Sequence, residues 1–198
     1  MTVGTRPHVL VARLDNDGDV LLAGPAVRAV AAGAGRVTFL CSPRAKAAAE
    51  LLPGVDDIIT FEASWIAADP PPLDPSEALG LVGRLSTCDL DQAVILTSFH
   101  QSPLPLALLL RMARVPEIAA ISVDYPGSLL DVRHHVPENI HEVERNLSLV
   151  AKLGHFLPSG DDGRLHVRRQ PALTPAGLPT GGYLVVHPGA SVPARAWA

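Results

Sequence analysis

The run V-L-V-A-R-L-D-N-D-G-D-V-L-L, residues 9–22, passes from an apolar segment through an acidic turn into a helical pattern. Residues 9–14 are too few for a helix and are apolar on both alternating faces, as in a strand buried on both sides of a sheet. Working outward, residues 36–41 (R-V-T-F-L-C), 57–61 (D-I-I-T-F), 93–97 (A-V-I-L-T) and 118–123 (I-A-A-I-S-V) read the same way. Helical patterns fill the gaps at 18–32, 43–52, 75–86 and 102–113. Strand and helix taking turns predict an α/β fold, a parallel sheet built from crossover units and covered on both faces.

Local signals place the helix ends. Ser42-Pro43 and Asp74-Pro75 each set a capping side chain before a proline at the first helical position. Gly54 stops the second helix, and Gly154 ends a further one over 139–153, with Val143, Leu147 and Val150 on one face. Pro25 lies inside the first helical pattern, where it removes a hydrogen bond, so a kink or a restart of the helix is expected there. Between 158 and 182, nine of 25 residues are Gly or Pro, against 35 of 198 in the whole chain, which marks a linker. Residues 183–187 (Y-L-V-V-H) then read as a strand.

The composition excludes several functions. The 198 residues carry 16 basic and 20 acidic side chains, a formal charge of −4, with no run of Lys and Arg, which argues against binding driven by nucleic-acid phosphates. Aromatic residues make up 4%, too few for a platform that stacks single-stranded bases. Cys41 and Cys88 match no metal spacing and read as free thiols of a reducing compartment. Residues 1–8 lack the layout of a signal peptide, and the longest apolar stretch, 104–110, is far short of a membrane span.

Three chemistries compete for the acidic turn, which follows a strand at the edge where open α/β sheets bind ligands. A calcium loop fails because Gly18 comes too early and no Glu follows in register. A haloacid-dehalogenase-type phosphatase would use Asp15 as nucleophile and Asp17 as acid; Asp19 replaces that motif's threonine, and no downstream strand offers a clear acidic pair for Mg²⁺. The third gives the work to Asp19, a carboxylate at a helix N-terminus and therefore held ionised. A weak base of this kind suffices for glycosyl transfer, where the acceptor hydroxyl becomes acidic as it attacks an oxocarbenium-like carbon. The alternative for Asp19 is a helix-capping role alone.

Several ordered motifs carry a resemblance. Residues 9–30 and 37–44 (V-T-F-L-C-S-P-R), then 51–61, 97–107 (T-S-F-H-Q-S-P-L-P-L-A), 124–134 (D-Y-P-G-S-L-L-D-V-R-H) and 141–147 (H-E-V-E-R-N-L) resemble the N-terminal half of glycosyltransferase family 9. This is the lipopolysaccharide heptosyltransferase family. Residues 185–197 (V-V-H-P-G-A-S-V-P-A-R-A-W) are similar to the first strand and loop of that family's donor-binding domain.

The resemblance implies a GT-B fold of two Rossmann-like domains and inverting transfer from a nucleoside-diphosphate sugar of the ADP-heptose kind, with no metal or other cofactor. Residues 1–157 would form the acceptor-side domain, 158–182 the linker, and 183–198 the incomplete start of the donor-binding domain. By position, Asp19 matches the catalytic base and Gly18 lets the backbone approach closely. Arg195 matches a contact to the donor diphosphate, joined by the backbone of Gly189, Ala190 and Ser191.

Ser98, His100 and Gln101 are candidates for the acceptor pocket, as are Arg44 with Lys46, unless these two belong to a solvated helix face. Asp131, Arg133 and His134 are candidates on a later loop. The acceptor would be a glycan or glycolipid, the protein a monomer in the cytoplasm, at the membrane's inner face if the acceptor sits there. A non-catalytic glycan- or partner-binding module is the remaining alternative, and the 198 residues alone are expected to be inactive.

Overall fold

The computed structural model describes residues 6–66, 70–168, 181–186 and 189. Six strands, β1 (His8–Arg13), β2 (Arg36–Cys41), β3 (Asp57–Thr60), β4 (Gln92–Ile95), β5 (Glu117–Ile121) and β6 (Val132–His134), form one parallel sheet in the order β3-β2-β1-β4-β5-β6. The chain winds one way from β1 to β3, then crosses back to β4 on the other side of β1. This reversal leaves a crevice beyond the C-terminal ends of β1 and β4, the place where sheets of this type bind ligands.

Both faces of the sheet are covered, which explains the unbroken apolar strands. Val9 and Val11 of β1 join one core with residues of helices α1 (Asp17–Leu22), α2 (Gly24–Gly33), α3 (Lys46–Glu50) and α6 (Glu142–Ala151). Leu10 and Ala12 join the other core with α4 (Pro75–Ser86) and α5 (Leu104–Met112).

The first helical pattern is two helices. Pro25 stands in the first turn of α2, and Ala23 joins α1 to it in a near-helical conformation, so the helix restarts where its hydrogen-bond ladder would fail. Gly54 has a φ of +92° and stands so close to α2 that a Cβ would lie 2.8 Å from the Ala31 Cβ. Only glycine fits this turn from α3 back toward β3.

The expected helix 139–153 forms as α6, and its buried face differs from the predicted one. Arg145, Asn146, Leu149 and Val150 point inward, while Val143 and Leu147 are half-buried. Strand β6 is short, half-buried and polar at its centre, and hydrophobic patterning did not predict it.

The first compact unit runs to Arg168. Residues 158–168, expected to open a linker, are fastened to it. Arg28 of α2 donates two hydrogen bonds to the Asp161 carboxylate, at 2.6 and 2.8 Å, and one to the Arg164 carbonyl at 2.9 Å. The Arg168 amide donates to the Leu51 carbonyl at 2.7 Å, and its guanidinium to that of Val55. In the second unit, Tyr183–Val186 are exposed and lie in no strand, which corrects the strand expected there. Residue 187 lies outside the described residues.

Candidate active site

The crevice beyond β1 and β4 is organised by Arg13, the last residue of β1. Its side chain is fully buried, an unusual place for a charge, and it is surrounded by carboxylates. Nη1 donates to Glu142 Oε1 at 2.6 Å, and Nη2 donates to Ser98 Oγ at 2.7 Å and to Asp19 Oδ1 at 3.2 Å. Nε lies 2.8 Å from Asp15 Oδ2 but off the line of a hydrogen bond, so that contact is an ion pair.

Each partner comes from a different element. Asp15 and Asp19 follow β1, Ser98 follows β4, and Glu142 stands in the first turn of α6, where the helix N-terminus favours a negative charge. One guanidinium therefore fixes the mutual positions of two loops and a helix.

The two aspartates differ in what they can offer a ligand. Asp15 is 7% exposed, and both its oxygens are engaged: Gln101 Nε2 donates to Oδ1 at 2.5 Å, and Ser98 Oγ donates to Oδ2 at 3.3 Å beside Arg13. Its backbone carbonyl accepts from Ser42 Oγ at 2.9 Å. Asp19 keeps 31% of its side chain accessible. One oxygen faces Arg13, and the other lies 3.4 Å from the Asn16 amide at the start of α1. Asp19 is thus held from behind and open in front, as a base must be. Asp15 is a structural member of the same network.

Of the other predicted residues, Ser98 and Gln101 join this network. His100 is exposed in a left-handed conformation, φ 73°, with its ring edge-on to Phe99 at 4.1 Å between centroids. Gly18 lies in the first turn of α1, and among the described residues no atom beyond its neighbours and its own helix backbone would stand within 4 Å of a Cβ there, so the close backbone approach expected of it is not one made to these residues. Arg44 is exposed on the turn of 3₁₀ helix at Pro43–Ala45, after β2. Lys46 faces solvent 3.9 Å from Glu50 on its own helix.

Arg133 donates to the Ser122 and Val123 carbonyls, at 3.1 and 2.5 Å, so it braces the loop after β5. Asp131 accepts from the Ile118 amide at 2.7 Å and pairs with Arg111, which puts it at the N-terminal ends of β5 and β6, away from the crevice. His134 lies 3.1 Å from Ser148 Oγ on α6, and burial lowers its pKa. Gly189 is exposed, and Ala190, Ser191 and Arg195 lie outside the described residues.

Sequence reasoning missed Arg13, Glu142 and Arg145. The signal for Arg13 was present: a single charge in an otherwise apolar strand. A cleft of about 430 Å³ adjoins the network, between the loop after β4, the loop after β5 and α6. Arg145 stands in its wall, 7% exposed, with its guanidinium carbon 6.0 Å from the centre of the Phe99 ring. Burial pushes its pKa down, opposed in part by Glu142. Among the described residues, no group of three His, Cys, Asp or Glu side chains is placed to hold a metal ion, and no helix is long and apolar enough to cross a membrane.

No protein-family model matches the chain, and no curated protein matches it in sequence. Solved structures match in fold. A glycosyl transferase family 9 protein from Veillonella parvula aligns with a TM-score of 0.64 at 15% identity, over 84% of this chain and 46% of that one. The E. coli heptosyltransferase WaaC with ADP aligns with a TM-score of 0.58 at 21% identity, over 77% and 49%. The E. coli ADP-heptose lps heptosyltransferase II aligns at 0.56 and 16%, over 72% and 39%. The chain spans about half the length of these structures, and at such identities the likeness is one of fold: a Rossmann-like α/β domain similar to those of GT-B glycosyltransferases.

Proposed function

We propose that this chain is the acceptor-side half of an inverting glycosyltransferase similar to the family 9 heptosyltransferases, with Asp19 as its general base. The observation that carries the reading is the Asp19 carboxylate itself: part-exposed, braced by a buried arginine, at the crevice between β1 and β4. The fold likeness supports it, since the matched structures are glycosyltransferases and one of them is named with bound ADP.

In this mechanism Asp19 accepts the proton of an acceptor sugar hydroxyl as that oxygen attacks the anomeric carbon of a nucleoside-diphosphate sugar. The bond to the diphosphate breaks on the opposite face, and the configuration inverts. Arg13 holds Asp19 in place and does not touch the acceptor. Residues 183–198 would open the donor-side domain, with Gly189, Ala190, Ser191 and Arg195 at the diphosphate.

The phosphatase alternative asks Asp15 to present a free oxygen to substrate, and both of its oxygens are occupied. A binding module keeps the fold and gives up the base.

The test is nucleoside-diphosphate release from an ADP-sugar and a glycan acceptor by this chain joined to a donor-side domain. Asp19→Asn is expected to lower kcat by about 10²- to 10⁴-fold with KM little changed. Mg²⁺-dependent phosphate release that Asp15→Asn abolishes and Asp19→Asn does not would replace the transferase reading with the phosphatase. Glycan binding without turnover, unaffected by Asp19→Ala, would leave the module.

A further inference from the structure

The Arg13 guanidinium meets three carboxylates, Asp15, Asp19 and Glu142, and shares itself among them unequally. Nη1 donates to Glu142 Oε1 at 2.6 Å, whereas Nη2 reaches Asp19 Oδ1 at 3.2 Å and makes its shorter bond, 2.7 Å, to Ser98. Glu142 therefore holds the guanidinium more closely than Asp19 does. Its own charge is secured by the N-terminus of α6, where it occupies the first helical position.

The sign of the effect on Asp19 follows from charge. An adjacent guanidinium favours the ionised form of a carboxylate, and a neighbouring carboxylate disfavours it. Glu142 acts in the second sense twice: its charge lies across the same guanidinium from Asp19, and it takes up part of the field that Arg13 would otherwise lend to Asp19. The Arg13 side chain between them is fully buried, so water and salt screen this interaction little. Asp17 on α1 and Arg145, one turn along α6 from Glu142, are further charges on the two helices. Those on the other elements packed against α1 are engaged elsewhere: Arg28 of α2 with Asp161, Lys46 of α3 beside Glu50, and Arg44 in solvent.

We propose that Glu142 is a positioning residue for Asp19: by occupying one end of the Arg13 guanidinium it makes the Asp19 carboxylate a stronger base. The role in sugar transfer rests on the reading of Asp19 as general base. The coupling between the two carboxylates does not, because it is present in the chain without substrate.

The full 198-residue chain, labelled with ¹³C, is titrated with acid while the Asp19 carboxyl carbon, assigned through Asp19→Asn, is followed by NMR. Glu142→Gln keeps the shape of the side chain and its acceptor oxygen and removes the charge. In it the Asp19 midpoint is expected about one pH unit below that of wild type, a roughly tenfold loss of proton affinity. Glu142→Asp, which keeps the charge, is expected to stay closer to wild type, and Glu142→Ser serves if the glutamine variant does not fold. Glu144→Gln, at an exposed neighbour in the same turn, is expected to leave the midpoint where it is. An Asp19 midpoint that is unmoved or raised in the neutral Glu142 variants, or one that Glu144→Gln lowers as far, overturns the proposal. In the nucleoside-diphosphate release assay, Glu142→Gln is expected to move the acid limb of the kcat profile down by the same interval, with KM near wild type. A lowered NMR midpoint with an unmoved acid limb overturns the reading of Asp19 as the base and upholds the coupling, so the two failures are separate results.

Discussion

Arg13 shows how one side chain couples stability to the site. Its guanidinium is enclosed by Asp15, Asp19 and Glu142, so its removal leaves three carboxylates facing one another at close range. Arg13→Met is expected to cost about 3–5 kcal/mol of stability, the range for breaking a buried pair from one side. Arg13→Lys, which keeps the charge but cannot reach every partner at once, should cost less. Urea unfolding of the three proteins measures both, and equal stability of wild type and Arg13→Met would show that the network contributes nothing net. The Cys41 thiol is a second case. Burial raises its pKa to about 11, so it should react with a disulfide reagent only on unfolding, while the half-buried Cys88 reacts in the native protein.

Among elements, α6 carries the most information that patterning did not reveal. A stripe of Val143, Leu147 and Val150 is the natural apolar face, yet the buried face includes Arg145 and Asn146, because α6 lies where its N-terminal turn must serve the site. Polar residues turned inward defeat a hydrophobic pattern, and β6, half-buried and centred on Arg133, escapes it in the same way. The first five strands were legible because burial on both faces left β1, β2, β4 and β5 largely apolar, while half-buried β3 still carries Ile58 and Ile59. Asp19, Ser98 and Gln101 were legible because they follow strand ends; Arg13, which holds Asp19 and Ser98, and Glu142, which holds Arg13, are joined to them by no spacing rule. His155, which follows α6, and His134 of β6 add a pH dependence. Burial holds both pKa values below 6.5, so the unfolded chain takes up their protons first. Their contribution is complete above about pH 6.5 and is lost as the pH falls toward the folded values. The urea midpoint should therefore decline from pH 7 to pH 5, and His155→Gln should flatten that decline.

At the scale of the molecule, residues 158–168 belong to the first unit by their contacts. A chain ending at 168 should unfold like the full first unit. One ending at 157 strands Arg28 without Asp161 and should lose about 3 kcal/mol or more, read from urea or thermal unfolding. Acid provides an independent check. Arg28 holds the Asp161 carboxyl down to about 2, so its contribution is present above the ordinary carboxylate range near pH 4 and vanishes as the pH falls through 2. The gap between wild type and Asp161→Asn should be constant at neutral pH and close over that window. The Arg13 network also sets a timetable. Arg13 and Glu142 are 129 residues apart, so a ribosome adding about 5–20 residues per second makes the second roughly 6–26 s after the first. For that interval the nascent sheet holds a charged strand end whose last partner has not been made. The Asp19 carboxylate reaches its final surroundings only when α6 docks, so the pocket is completed after all six strands of the sheet have been made.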